Sequence, residues 1–152
     1  MMNVFVWVIL LTVLVQLFLI ARDDLQHLRI SNRANLILAM TYLPYAALTQ
    51  DAAEIMMHVI TAGLIFFALL WPFARNMLGG GDVKFLSTGA LWIGPQNLSF
   101  FMITLLVSLI LYLAGARMGL LRMHQEGKLH RIPFGPSGAL ALATTLGASA
   151  FV

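Results

Sequence analysis

The sequence predicts an all-α integral membrane protein: a six-transmembrane-helix bundle with both termini outside. Three observations predict it, namely an apolar excess, six separated apolar runs, and basic residues confined to alternate connections. Of the 152 residues, 61% are hydrophobic and only 10% charged. A soluble domain carries about 25% charged residues and roughly half apolar ones. The length suits one domain, read as a single membrane-embedded unit over residues 1–152, because the connections are too short for a second. The net charge of +3 is concentrated on no face or run, so nucleic acid is not an expected partner and the lipid bilayer is. Cysteine is absent, which excludes disulfides, thiol catalysis and cysteine metal sites without identifying a redox compartment.

The first apolar run, residues 3–21, looks superficially like a secretory leader. It lacks a basic start and is long enough to span, so it is read as a retained helix. Further runs occupy residues 34–50, 55–74, 83–96, 98–116 and 133–152. Crossing hydrocarbon about 30 Å thick takes about 20 residues, and the fourth run falls short. The connections are residues 22–33, 50–54 and 75–82, a tight Gly94-Pro95-Gln96-Asn97 turn, and residues 117–131.

The basic residues orient this bundle. Arg22, Arg29 and Arg33 lie in the first connection, Arg75 and Lys84 around the third, and Arg117, Arg122, Lys128 and Arg131 in the fifth; these are all 9 of the Lys and Arg. Cytoplasmic loops are enriched in Lys and Arg, so those three connections are expected in the cytoplasm. Asp51 and Glu54 then fall outside, whereas Asp23, Asp24, Asp82 and Glu126 fall on the cytoplasmic side.

Two segments carry candidate chemistry. The first is Leu78-Gly79-Gly80-Gly81-Asp82-Val83-Lys84. Each glycine costs about 1 kcal/mol in a helix relative to alanine, so an irregular Gly-rich turn is expected before the short fourth helix. The 12 residues from Val83 to Gly94 make about 18 Å of helix. Spanning then needs residues 79–82 to be recruited, or a helix that ends below the surface. Either arrangement draws Asp82 toward hydrocarbon depth, where an ionisable group is by default a functional candidate. The second segment begins at Asp24, at the expected membrane border, and runs to Ile30-Ser31-Asn32, where Asn32 is the expected cap of the second helix.

If Asp24 and Asp82 meet, they share a proton and titrate as a unit. The charged member can then activate water while the protonated one polarises a carbonyl. The bland readings stand beside this: an aspartate at a helix end is commonly a solvated charge, and the glycine run can be a flexible loop with an Asp–Lys contact. A nucleotide loop is excluded, because its Gly-x-x-x-x-Gly-Lys-Ser/Thr spacing is missing. His27, His58, His124 and His130 show no metal-ligand spacing, so neither metal nor cofactor is expected. The basic connection at residues 117–131 reads as a topology determinant touching anionic lipid. Phe66, Phe67, Trp71 and Phe73 read as lipid-facing or interfacial.

Three stretches carry a resemblance to a known family: Asp24 followed by Arg29-Ile30-Ser31-Asn32; Gly79-Gly80-Gly81-Asp82 with Val83-Lys84; and Ile132-Pro133-Phe134-Gly135-Pro136. In this order they resemble the type IV prepilin peptidases, membrane aspartic endopeptidases with a Gly-x-Gly-Asp signature. The resemblance implies a peptidase domain with Asp24 and Asp82 as the catalytic pair and Gly79, Gly80 and Gly81 as the active-site turn. Lys84, Asn32, Pro133 and Gly135 become candidates for substrate binding or tuning. It further implies prepilin or pseudopilin precursors as partners, the pilus assembly machinery as another, and a bacterial inner-membrane location with the active site facing the cytoplasm. The chain looks like the short subgroup serving Flp-type pili, without the cysteine-bearing region of bifunctional members, so no methyltransferase activity is expected.

Ser31 stands where the family often has proline, which loosens the entry to the second helix. Asp23 beside Asp24 offers a rival carboxylate, and the spacing to Ile30 and Asn32 favours Asp24. Two other functions compete. A transporter using Asp82 as a proton or ion relay predicts acids distributed across the bilayer, often with an inverted repeat, and neither is seen. A non-enzymatic assembly factor predicts that Asp24→Asn and Asp82→Asn are tolerated.

Overall fold

Each apolar run becomes a helix, and local hydrogen bonding decides where each begins and ends. In the computed structural model, residues 4–118, 124–126, 129–131 and 133–150 are described. The elements are α1 (Val4–His27), α2 (Asn32–Thr49), α3 (Ala52–Ala74), α4 (Gly80–Ile93), α5 (Leu98–Arg117), β1 (His124–Glu126), β2 (Leu129–Arg131) and α6 (Gly135–Ala150).

Helix α1 runs through Arg22, Asp23 and Asp24, which the sequence placed in a connection. Asp23 pairs with His27 one turn on at 2.9 Å. The Leu28 N–H closes the last turn on the Asp24 carbonyl at 2.9 Å, with Leu28 in the left-handed region at φ 51°, the geometry that commonly stops a helix. The cap of α2 is Ser31, not Asn32: the Ser31 hydroxyl accepts from the Ala34 N–H at 3.1 Å. Its extended backbone suits the capping position, while the Asn32 side chain is taken up by Lys84, whose Nζ donates to Oδ1 at 2.8 Å. Asp51 caps α3 by accepting the Glu54 N–H at 2.8 Å. The Arg75 guanidinium closes the other end of α3 by lying 4.1 Å over the Trp71 ring.

The expected irregular turn before α4 is mostly helical. Gly79 is the N-cap and Gly80, Gly81 and Asp82 form the first turn. Two contacts offset the glycines' low propensity: Asp82 Oδ2 accepts the Gly79 N–H at 3.2 Å, and the bare Gly81 lets α4 press against the α1–α2 corner. A Cβ on Gly81 would sit 2.7 Å from the Ile30 carbonyl oxygen. With 14 residues, α4 is about 21 Å long. It ends at Gly94, whose φ is +65°.

Helix α4 is the centre of the molecule, packing on α2, α3, α5 and α6, while α1 packs on α2 and α6. Val83, Phe85, Leu86, Ala90, Trp92 and Ile93 are all buried on it. A short helix is tolerated here because most of its residues are buried in protein. Among the described residues there are six helices, and three of them, α1, α3 and α5, are long and apolar enough to cross a membrane. No more than 22% of any of their apolar windows is buried in the fold, so these three form the outer wall. Phe67, Trp71 and Phe73 are among its exposed side chains.

Away from Asp24 and Asp82, a buried polar network ties α2, α3 and α4 together. His58 Nδ1 donates to the Leu91 carbonyl at 2.8 Å, Tyr42 donates to Gln50 Oε1 at 2.7 Å, and Trp92 Nε1 donates to the Leu38 carbonyl at 2.9 Å. The fold is all-helical apart from one short feature. The fifth connection carries an antiparallel pair of three-residue strands, with His124 opposite Arg131; segments this short leave almost no periodicity to read.

Candidate functional site

Asp24 lies on the stripe of α1 that also buries Leu17 and Ile20, and is 3% exposed. That three- and four-residue spacing gives one face of a helix, turned here onto α6. A buried carboxyl needs hydrogen-bond donors, and one comes from the main chain: the Gly135 N–H donates to Asp24 Oδ2 at 2.7 Å. Gly135 is the first residue of α6, so the carboxyl faces a helix N-terminus with its unpaired N–H groups and favourable dipole. Only glycine fits, since a Cβ there would lie 2.7 Å from Asp24 Cβ and 3.0 Å from Oδ2. Pro133 is buried just before this helix start.

Asp82 is partly buried in the first turn of α4. Its carboxyl is steered by Gly79, and Gly80 lies under the Phe73 ring, 3.3 Å from where a Cβ would be. The Asp24 and Asp82 carboxyls lie within electrostatic reach of each other. Among the described residues no hydrogen bond joins them. Asp23 is not buried with Asp24: its side chain is 48% exposed and bonded to His27, and it reaches Asp24 through its charge. Lys84 bonds Asn32 instead of Asp82, so these two side chains fasten α2 to α4 beside the site.

One residue near the site went unnoticed in the sequence. Asn35, 4% exposed, donates from Nδ2 to the Gly81 carbonyl at 3.2 Å; a polar residue inside an apolar run was its only signal. Beside the carboxyls, a groove of about 390 Å³ runs between α1 and α2 past Ile20, Asp23, Ile30 and Ala34, and its lining includes neither Asp24 nor Asp82. Among the described residues, no group of three or more His, Cys, Asp or Glu could hold a metal ion.

Asp24 and Asp82 thus each present a carboxyl held by a peptide N–H within one helix bundle. Fold and site together define a helical bundle with three helices apolar and long enough to cross a membrane and two carboxyls near helix ends. A model of the type IV leader peptidase family matches residues 6–118, and the chain belongs to that family. It is therefore a peptidase of the leader-removing class, whose substrates are prepilins in general. The matched stretch contains both aspartates and the glycine run and ends before Gly135. No curated protein and no solved structure matches the chain.

Proposed function

We propose that the chain is an aspartic endopeptidase that removes the short basic leader of Flp-type prepilins at the cytoplasmic border of the inner membrane, using Asp24 and Asp82. All six helices are embedded in this reading, with the connections rich in Lys and Arg in the cytoplasm, as their charge favours. The observation that carries the proposal is the state of Asp24: a carboxyl 3% exposed, bonded to the Gly135 N–H, with Asp82 within electrostatic reach. Nothing in the packing of α1 requires an acid there, and an apolar side chain would fill the same place at lower cost.

In the reaction, the ionised carboxyl takes a proton from water as the water oxygen attacks the scissile carbonyl. The protonated carboxyl donates to the carbonyl oxygen, and the tetrahedral intermediate collapses as the leaving nitrogen is protonated. The products are a leader ending in a carboxylate and a pilin with a new amino terminus. Co-expression of a prepilin with Asp24→Asn, Asp82→Asn or Asp23→Asn enzyme tests this by the mobility shift that accompanies leader loss. The first two variants are expected to accumulate in the membrane without cleaving, and Asp23→Asn to cleave. Normal processing by Asp82→Asn would sink the mechanism.

A further inference from the structure

Asn35 sits on the stripe of α2 that also carries the buried Leu38 and Tyr42 and packs on α4. Its amide makes one bond through Nδ2, to the Gly81 carbonyl, while Oδ1 is buried with no hydrogen-bond partner among the described residues. A buried amide with an orphan acceptor is a poorer choice for packing than leucine, because its desolvation is only half offset. Stability therefore does not account for Asn35.

The bond's position does. The Gly81 carbonyl and the Asp82 nitrogen belong to one peptide unit, which is planar. Holding that oxygen therefore fixes the plane from which the Asp82 side chain departs. The nitrogen edge of the same unit is held from within α4, the Asp82 N–H donating to the Gly79 carbonyl at 3.1 Å, and the Ile30 carbonyl closes off the Gly81 Cα; the oxygen edge is held from α2 by Asn35. Asp82 is thus held at three points: the peptide plane entering it by Asn35 at the Gly81 oxygen and by the Gly79 carbonyl at the Asp82 N–H, and its carboxyl by the Gly79 N–H.

We propose that Asn35 is a positioning residue for leader cleavage, holding the Gly81–Asp82 peptide plane so that the Asp82 carboxyl keeps its place relative to Asp24. This rests on the Asp24/Asp82 reading above.

The test measures kcat, KM and the thermal midpoint on purified, monodisperse full-length enzyme in detergent with a prepilin substrate. Asn35→Leu removes both the donor and the orphan acceptor. It is expected to lower kcat about tenfold or more, as small displacements of reacting groups do, with KM and the midpoint little changed. Trp92→Phe breaks another side-chain bond between these two helices, to the Leu38 carbonyl, beyond the catalytic turn. It is expected to lower the midpoint while kcat per folded molecule stays the same. Should Asn35→Leu fold poorly, Asn35→Ala measured per folded molecule makes the same kcat test. Wild-type kcat in the Asn35 variants, with Asp82→Asn inactive, overturns the positioning role and leaves the dyad standing. A kcat loss that merely tracks the midpoint in both Asn35→Leu and Trp92→Phe overturns it as well. Cleavage by Asp82→Asn would instead remove the reading on which it rests.

Discussion

Replacing Gly135 with alanine tests whether a backbone N–H aims the buried carboxyl. The added Cβ would stand 2.7 Å from Asp24 Cβ and 3.0 Å from Oδ2, whereas carbon atoms rest at about 3.5–4.0 Å. The start of α6 must therefore retreat from α1 by about 0.8–1.3 Å. The Gly135 N–H to Asp24 bond, 2.7 Å in the native chain, then opens to about 3.5 Å or more, beyond useful hydrogen-bond length. A hydrogen bond to a charged group contributes about 1.5–3 kcal/mol, and a displacement of about 1 Å can cost about a hundredfold in rate. Gly135→Ala is thus expected to slow leader removal by about ten- to a hundredfold. A time course of prepilin processing in membranes, normalised to enzyme by immunoblot, measures it. Gly63→Ala is the control: nothing lies within 4 Å of a Cβ there, so the change should leave cleavage intact and stabilise α3 by up to about 1 kcal/mol. Wild-type processing by Gly135→Ala would refute the claim that this contact aims Asp24.

Two further outcomes follow from the same geometry. A dyad that shares one proton needs one ionised and one protonated member, so kcat/KM is expected to fall at both acid and alkaline pH; a rate that climbs without turning over from acid to alkaline pH would contradict it. The native chain has no cysteine, so single substitutions report topology cleanly. Gln26→Cys should react with an impermeant maleimide only from the cytoplasmic side and Ala53→Cys only from outside, and the reverse pattern would invert the proposed orientation.

The helix count was legible because each helix carries its own apolar run, and α3 and α5 end close to where those runs end. The misjudged boundaries are those settled by distant contacts. Arg22, Asp23 and Asp24 read as loop on local composition, yet Asp24 is buried in α1 by a partner 111 residues away. The glycines before Asp82 read as a break on propensity, yet Gly80 and Gly81 are helical, and the Ile30 corner leaves no room for a side chain at Gly81. The choice of Ser31 over Asn32 as cap was equally hidden, since it depends on Lys84 reaching across from α4. Asp24, Asp82 and the glycine motif could be singled out from charge at a membrane border and from spacing. Asn35 could not, because an amide inside an apolar run does not announce whether it meets a carbonyl or another amide.

The two aspartates are held by different means. Asp82 is steered from within its own helix start, three residues from its donor, at an N-terminal turn where the helix dipole favours negative charge. Asp24 stands in the last turn of α1, where the dipole opposes it, and its donor comes from α6, at the other end of the chain. Asp82 can therefore be oriented as soon as α4 forms against α2, whereas Asp24 acquires its partner only when α6 docks on α1. The family match, which ends at residue 118, covers both carboxyls but not the residue that holds one of them. The proposed dyad is for that reason a property of the closed bundle: two motifs in the first two-thirds of the chain bring the acids, and a glycine far beyond them orients one.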